Sequence, residues 1–579
     1  MGFGLSGKRG KDMEQKVYAL RDVTNLKEMV ESSCDLFSEN IAFLWRDRKN
    51  GQIIEKKYRE AGEDIRALAT ALNARGFENE KIGITGPNGY DWAISYLAAG
   101  AGVGLIMPVD KDFNAEQLSF VYQHSEAEVL LYHDSLEKVV EESGVTCEKI
   151  PFSAYPALIE EGKNLRAAGD ASYENHVINP TTFGILLYTS GTMGVAKGVM
   201  LSQHNVCGNV RQALQGVHFG PEDRGLSMLP LHHTYECTAG FLGFFFSGSS
   251  IAYLTSLRHI MTDLKEFAPT VLVTVPQVLE SFYKNILKKY DEIPGGKAIY
   301  AVQKTVAGAL TTGGRQKIFG AVKKVFGGRL RLFLVGAAPV PPAVYKAFWR
   351  FGFAVYIGYG LTETSPISVM HSDFYHAPDD VGYPATGVQA RILDPDEDGV
   401  GELCVKGPNV MLGYYKDPEE TARVLKKGWF RTGDLAQKTA KGTYRITGRI
   451  KSMIVADNGK KIFPEELEDA VRKSPYVKEC MVYTKPGKRA GHVIVGIFPD
   501  RERLDEEYRA ETKGAFDSMP PDRVREIFLK VISDVNSRFP GYKRIRGLAL
   551  RDAPFEKTTT QKIRRNDPRN LIDSQTDTN

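Results

Sequence analysis

Cysteine is scarce and scattered: six among 579 residues, at 34, 147, 207, 237, 404 and 480, with no C-x-x-C pair. This spacing offers neither a disulfide framework nor a zinc site, and it fits a reducing compartment. An excess of one charge is missing too. Lys and Arg number 75 against 71 acids, a net of +4, too balanced for a nucleic-acid binder. No apolar run reaches the 18 or more residues of a membrane span; the nearest, 241–254, is interrupted by small and polar residues. The opening MGFGLSGKRGKDMEQK has no apolar h-region, so no secretory signal is read there. Gly2, Gly4 and Gly7 satisfy G-x-G-x-x-G, but no strand precedes them and the dinucleotide reading fails. There is no G-x-S-x-G elbow, which disfavours a serine hydrolase, and no H-E-x-x-H helix for a metal. The expectation is a soluble cytoplasmic protein. It would be at most peripheral to the inner face of a membrane, a contact that no strongly amphipathic basic helix announces.

The composition that is present, 42% hydrophobic, 10% aromatic and 25% charged, is that of an ordinary globular protein and excludes disorder for most of the chain. From 17 to 448, short apolar runs alternate with amphipathic stretches. Ile82-Gly83-Ile84-Thr85-Gly86 predicts a strand and turn, 90–99 a helix, and 104–109 a buried strand. Similar strands are predicted at 271–275 and 330–335. Strands alternating with helices argue for α/β layers with mostly parallel sheets. A smaller unit begins near Arg449, where an apolar strand and an Asp457-Asn458-Gly459 turn lead to a helix opening at Pro464-Glu465-Glu466. Proline at the first helical position followed by acids is a favourable N-terminus. The expected organisation is a flexible 1–16, a large multi-layer α/β domain over 17–448, a small mobile α/β domain over 449–567, and a flexible tail at 568–579.

The chemistry concentrates first in 187–205, LYTSGTMGVAKGVMLSQHN. A buried apolar run feeds Thr189, Ser190, Gly191, Thr192, Gly194, Lys197 and Gly198. Small residues let backbone N–H groups approach an anion, hydroxyls donate further hydrogen bonds, and a lysine adds charge. This composition suits a polyphosphate cradle, with a Gly/Thr-rich turn and a solvated lysine as the alternative. It is not a Walker A loop, because Ala196 and Gly198 stand where that motif has glycine and a hydroxyl residue.

The segment resembles the signature loop of the adenylate-forming (AMP-binding) enzymes. Further motifs of that superfamily follow in order. They are Leu229-Pro230-Leu231-His232-His233, Gly336-Ala337-Ala338-Pro339, Tyr359-Gly360-Leu361-Thr362-Glu363, Trp429-Phe430-Arg431-Thr432-Gly433-Asp434, Gly448-Arg449-Ile450-Lys451 and Thr558-Thr559-Thr560-Gln561-Lys562-Ile563. Within the superfamily, Asn458-Gly459-Lys460-Lys461-Ile462-Phe463-Pro464-Glu465-Glu466 and the Thr-Gln-Lys ending look most like long-chain fatty acyl-CoA synthetases.

The resemblance implies the adenylate-forming fold and a two-step reaction. A long- or medium-chain fatty acid is activated by ATP to an acyl-adenylate, pyrophosphate leaves, and CoA then takes the acyl group with release of AMP. It implies that Thr189, Ser190, Gly191, Thr192 and Lys197 embrace the β- and γ-phosphates, and that Glu363 with Thr189 holds Mg²⁺, a hard ion suited by oxygen ligands. Gly336, Ala337, Ala338, Tyr359, Gly360, Leu361 and Thr362 would frame the adenine, with the Tyr359 ring available for stacking. Asp434 would take the ribose hydroxyls and Arg449 a second ribose or phosphate contact. Lys562 would bridge the attacking carboxylate and the α-phosphate, and His233 would orient that carboxylate. Lys451 matches the hinge about which the small domain rotates, while Gly459 and Lys460 match the CoA-binding face. The alternatives are an acyl-AMP ligase that loads a carrier protein, and a catalytically silent relative that binds AMP or acyl groups. Two departures bear on the second: Met193 and Ala196 stand where the family has threonine and proline; a further departure is Gly336-Ala337 in place of a glycine pair. Apolar stretches at 241–254 and 275–279 are candidate walls for an alkyl tunnel. Oligomeric state is not readable.

Overall fold

The computed structural model describes residues 16–47, 50–189, 197–455, 461–484, 492–514, 517–557, 563–572 and 576–577. Two large sheets form the N-terminal body. In a nine-stranded sheet, Ile41–Arg46, Ser250–Tyr253, Arg224–Ser227, Val271–Thr274, Leu332–Val335 and Ala354–Gly360 run parallel, with antiparallel strands at both edges. A seven-stranded sheet has a parallel centre of Phe183–Thr189, Leu105–Pro108, Lys81–Thr85, Val129–Tyr132 and Glu148–Pro151. Its antiparallel margin is Lys197–Ser202 and Gly413–Tyr414. The predicted strands at 82–86, 104–109, 271–275 and 330–335 all fall in these two sheets, and the predicted helix is Tyr90–Gly102.

That helix shows how the layers are joined. Every residue of it except Asp91 is buried. A helix apolar all round belongs inside a layered core, and here it packs on Lys81–Thr85 and Leu105–Pro108. Trp92 and Tyr96 meet Phe241 edge-on from the other side. Asp91 sits at its first turn, where burial pushes the carboxyl up to about 6.

A five-stranded antiparallel sheet, built from Gln389–Leu393, Val400–Lys406, Leu425–Lys426, Trp429–Lys438 and Tyr444–Arg449, closes the N-terminal body. Beyond it, Val477–Tyr483, Ile494–Pro499 and Gly547–Leu550 form a further sheet. Helices Pro464–Val471 and Pro521–Asn536 cover it around a separate core that includes Ile462, Leu467, Val495, Phe528 and Leu548.

The tail expected at 568–579 is corrected where it is described. Asn570 is fully buried, receives the Glu556 N–H and donates to the carbonyls of Glu556 and Arg564. Leu571 and Ile572 pack on the Phe555 cluster, and Thr576–Asp577 pairs with Gly547–Leu550. The run is held because the Asn570 amide satisfies three backbone groups at once. Residues 1–15 lie outside the described residues. Among the described residues no helix is long and apolar enough to cross a membrane.

Candidate active site

In open parallel sheets, ligands bind beyond the carboxyl ends of the strands. Here Thr189 ends Phe183–Thr189, Gly336 follows Leu332–Val335, Tyr359 and Gly360 end Ala354–Gly360, and Pro276 follows Val271–Thr274. All of them line one cleft of about 2530 Å³, which the antiparallel sheet and the C-terminal body border with Asp434, Arg449, Lys451 and Glu465.

Lys197 opens the strand Lys197–Ser202, and Thr189 Oγ1 donates to its carbonyl at 3.5 Å. The Lys197 ammonium is 2.6 Å from Glu420 Oε1 and 5.1 Å above the Tyr414 ring. Glu420 is held down to about 2, chiefly by hydrogen bonds from Arg423 against the opposing effect of burial, with Lys197 adding to the shift. Glu363 is half-buried, and its Oε1 accepts from the Tyr414 hydroxyl at 2.8 Å. Ser190, Gly191, Thr192, Met193 and Ala196 lie outside the described residues. Tyr414, Glu420 and Arg423 were missed in the sequence. Their readable signal is Asp417-Pro418-Glu419-Glu420, a capped helix start with proline and acids in the first turn. Nothing local announces that this helix faces Lys197, more than 200 residues earlier.

At the ends of Leu332–Val335 and Ala354–Gly360, the turns are set by close approaches. A Cβ on Gly360 would lie 1.7 Å from the Pro366 carbonyl oxygen, so only glycine fits as the chain turns toward Glu363. Ala337 occupies the left-handed region at φ 72°, where a Cβ crowds the backbone and glycine is preferred. Gly336 is buried beneath the Tyr235 ring, while Ala337 and Ala338 are exposed on the cleft. Asp434 is placed by its own motif. Arg431 pairs with Glu402, and the Thr432 hydroxyl donates to the Leu403 carbonyl at 2.7 Å and receives the Asp434 N–H. The Asp434 carboxylate accepts from the Tyr359 hydroxyl at 2.7 Å and from Arg449 Nε at 2.9 Å. A carboxylate has about four acceptor positions, so two remain open to the cleft. The Tyr359 hydroxyl is committed to Asp434, and burial beside that anion raises its pKa. Leu361 and Thr362 follow at the cleft wall.

The His232 and His233 rings lie 4.1 Å apart between centroids, tilted at 57°, and both line the cleft. His232 Nε2 lies 3.3 Å from Asp110. No cluster of three metal-ligating side chains occurs among the described residues, so the pair is no ready-made metal site. Three residues on, Glu236 begins the π-helix Glu236–Leu242 with its side chain fully buried. Its Oε1 accepts from Ser227 at 2.6 Å and its Oε2 has no partner, and burial pushes the carboxyl up to about 8.

The expected tunnel wall at 241–254 is a correction. Phe241, Phe244, Phe245 and Ile251 are core side chains at 0% exposure; of that stretch, the cleft is lined by Gly243. The large apolar side chains of the stretch pack between the layers and do not reach the cavity. The apolar lining comes instead from helix Gln203–Gly216 (Val210, Ala213, Leu214), with Phe219, Ile357 and Met370. From 275–279, Pro276 and Gln277 reach the cleft, and Leu279 is core.

The C-terminal body faces the cleft through Glu465, Glu468, Asp469 and Arg565. Arg565 grips both Glu468 oxygens at 2.7 Å, and Lys557 and Ile563 form a bridge. Lys562, Gly459 and Lys460 themselves lie outside the described residues. Lys451 is exposed in the Ile450–Ser452 turn that links the two bodies.

Residues 30–415 match the family described as AMP-binding enzyme, and 451–573 match the AMP-binding enzyme C-terminal domain. Among curated proteins, the chain is 28% identical to human "Long-chain-fatty-acid--CoA ligase 1", over 97% of this chain and 88% of that one. It is 34% identical to "Long-chain-fatty-acid--CoA ligase 4" of Saccharomyces cerevisiae, over 58% of this chain and 51% of that one. It is 27% identical to the Arabidopsis thaliana "Long-chain-fatty-acid--[acyl-carrier-protein] ligase AEE15, chloroplastic", over 83% and 77%. Among solved structures, the fold is shared with the anthranilate CoA ligase AuaEII in complex with anthranoyl-AMP (TM-score 0.74, 17% identity, 95% and 96% covered). It is also shared with ATP-bound MatB from Rhodopseudomonas palustris (TM-score 0.71, 23% identity, 94% and 98% covered).

Proposed function

Because the chain belongs to the AMP-binding enzyme family, we propose that it activates a long- or medium-chain fatty acid with ATP and passes the acyl group to CoA. The observation that carries this reading is the continuity of the cleft. The phosphate-side pair Lys197 and Glu363, the Tyr359–Asp434–Arg449 nucleoside frame and an apolar wall all border one space. The names of the human and yeast relatives supply the acid and the acceptor.

In the first step a carboxylate oxygen bonds to the α-phosphorus, the bond to the pyrophosphate oxygen breaks, and pyrophosphate leaves. Both reactants are anions, so the protein's work is neutralisation and alignment. Lys197, with Thr189, Ser190, Gly191 and Thr192, neutralises the leaving phosphates, and binding ATP draws Lys197 from Glu420. Asp434 and Arg449 fix the ribose, His233 orients the carboxylate, and Lys562 spans carboxylate and α-phosphate. Glu363 and Thr189 suit Mg²⁺, which keeps few protein ligands and otherwise takes phosphate oxygens and water; when bound, the ion offsets phosphate charge. In the second step the CoA thiol gives up its proton to solvent, sulfur bonds to the acyl carbon, and the bond from that carbon to the phosphate oxygen breaks, so AMP departs. Rotation about Lys451 withdraws Lys562 and brings in Gly459 and Lys460. Peripheral contact with a membrane belongs to the same proposal, since long acyl chains partition into bilayers.

The full chain incubated with ATP, Mg²⁺, palmitate and CoA is expected to yield palmitoyl-CoA and AMP by mass spectrometry. The Arabidopsis relative favours a second reading, a carrier protein as acceptor; replacing CoA by a phosphopantetheinylated carrier protein separates the two. No AMP with either acceptor, over acids of several lengths, would sink both.

A further inference from the structure

We propose that the face of helix Gly296–Ala307 turned away from the protein is a docking surface for an anionic lipid bilayer. Its inward positions are Gly296, Tyr300, Gln303 and Ala307, where the Tyr300 ring packs on Phe319 and Phe351 and polar contacts sit beside it. Tyr300 meets the Tyr283 hydroxyl at 3.3 Å, and Gln303 accepts from Tyr290 at 2.7 Å and donates to the Ile318 carbonyl at 3.2 Å. Its outward stripe is apolar: Ile299, Val302 and Val306, at the i, i+3, i+7 spacing of one helical face, are 45%, 63% and 45% exposed. Ala298, Ala301 and Thr305 fill the gaps, and Ile293, at the turn before the helix, is 50% exposed.

The surroundings say what covers this face. The helix contains no acid, and Lys297 and Lys304 stand exposed on it. Residues 281–328 hold nine Lys and Arg against two acids, seven positive charges in excess where the whole chain has four. Arg315 is buried against Trp349; the other eight are lysines, seven of them exposed and Lys323 half-buried. An apolar stripe edged by lysines lies in the headgroup boundary of an anionic membrane, with apolar burial and charge attraction adding. A second copy of the chain would bring the same excess positive charge against this one and is opposed by it. The patch also lies at the far end of helix Pro276–Asp291, whose Pro276, Gln277 and Glu280 line the cleft. At 1.5 Å per residue it is about 24 Å from the cleft. Only the benefit of such docking, a substrate that resides in bilayers, rests on the proposed activity; the docking itself needs neither ATP nor acid.

The test is flotation of the full chain with vesicles, without nucleotide or fatty acid. Binding is expected to 1:1 phosphatidylglycerol–phosphatidylcholine vesicles at low salt, weakening in 0.5 M salt, with little binding to phosphatidylcholine alone. The triple variant I299S/V302S/V306S and, separately, K297E/K304E are expected to bind at least tenfold more weakly at unchanged melting temperature, as each lysine near such a surface contributes about fivefold. Failure of the wild type to float with anionic vesicles, or equal flotation of both variants, overturns the proposal. So does a wild-type dimer in light scattering that the serine variant dissociates, which would assign the face to self-association.

Discussion

Replacing Glu236 by glutamine tests the energetics of the layer beneath the cleft. The carboxyl is fully buried with one oxygen unpartnered, and burial pushes it up to about 8, against about 4.3 in an unfolded chain. Between those values the folded protein holds a proton that the unfolded chain has lost. Folding therefore takes up a proton, and stability falls as pH rises through this window and levels off above it. Each pH unit inside the window costs a little over 1 kcal/mol, so moving from pH 5.5 to 7.5 removes roughly 3 kcal/mol from the wild type. Glutamine has nearly the same shape, does not titrate, and can still accept from Ser227. Glu236→Gln should thus gain on the wild type by roughly 3 kcal/mol between the two pH values. For a cooperative unit of about 430 residues that is about 3 °C in melting temperature. The assay is thermal or urea unfolding of both proteins at half-unit pH steps. Stability curves that stay parallel from pH 5 to 8 would refute the buried-proton reasoning.

Three further outcomes follow from single contacts. Gly360→Ala forces a methyl group into the Pro366 carbonyl and should cost at least ~3 kcal/mol in urea unfolding, at the upper end of overpacking penalties. Ala337→Gly relieves a side chain held at φ 72° and should raise stability by about 1 kcal/mol, read as an increase in melting temperature. Asp434→Asn keeps the shape but removes the charge that Arg449 and Tyr359 address. ATP affinity by calorimetry should fall roughly ten- to a hundredfold, the worth of a charge-assisted hydrogen bond.

What could be read from the sequence was local. The parallel strands showed themselves as apolar runs ending in turns, and the helix at Pro464 by its proline and acids, because the signals for both lie within a few residues. The partners that define the site are distant. Lys197 meets Glu420 only because Gly413–Tyr414 pairs with Lys197–Ser202, and no local pattern specifies that register. The antiparallel sheet that carries Asp434 was likewise invisible as a sheet, although its Trp-Phe-Arg-Thr-Gly-Asp motif was not. Hydrophobicity misled where it was strongest. The aromatic side chains of the 241–254 run are core, while the cleft draws its apolar wall from Val210, Ala213 and Leu214 on one face of helix Gln203–Gly216. Helix Gly296–Ala307 warns against the same inference in reverse, since its apolar stripe faces outward and its tyrosine and glutamine face in.

The most direct test of the account is ATP–pyrophosphate exchange by the full chain across carboxylic acids from C4 to C20, with benzoate and cholate as outsiders. Exchange that requires Mg²⁺ and peaks in one window of fatty-acid chain length is the predicted result. Exchange with no acid at all, in a protein that still binds ATP, would contradict the claim that this cleft forms an acyl-adenylate.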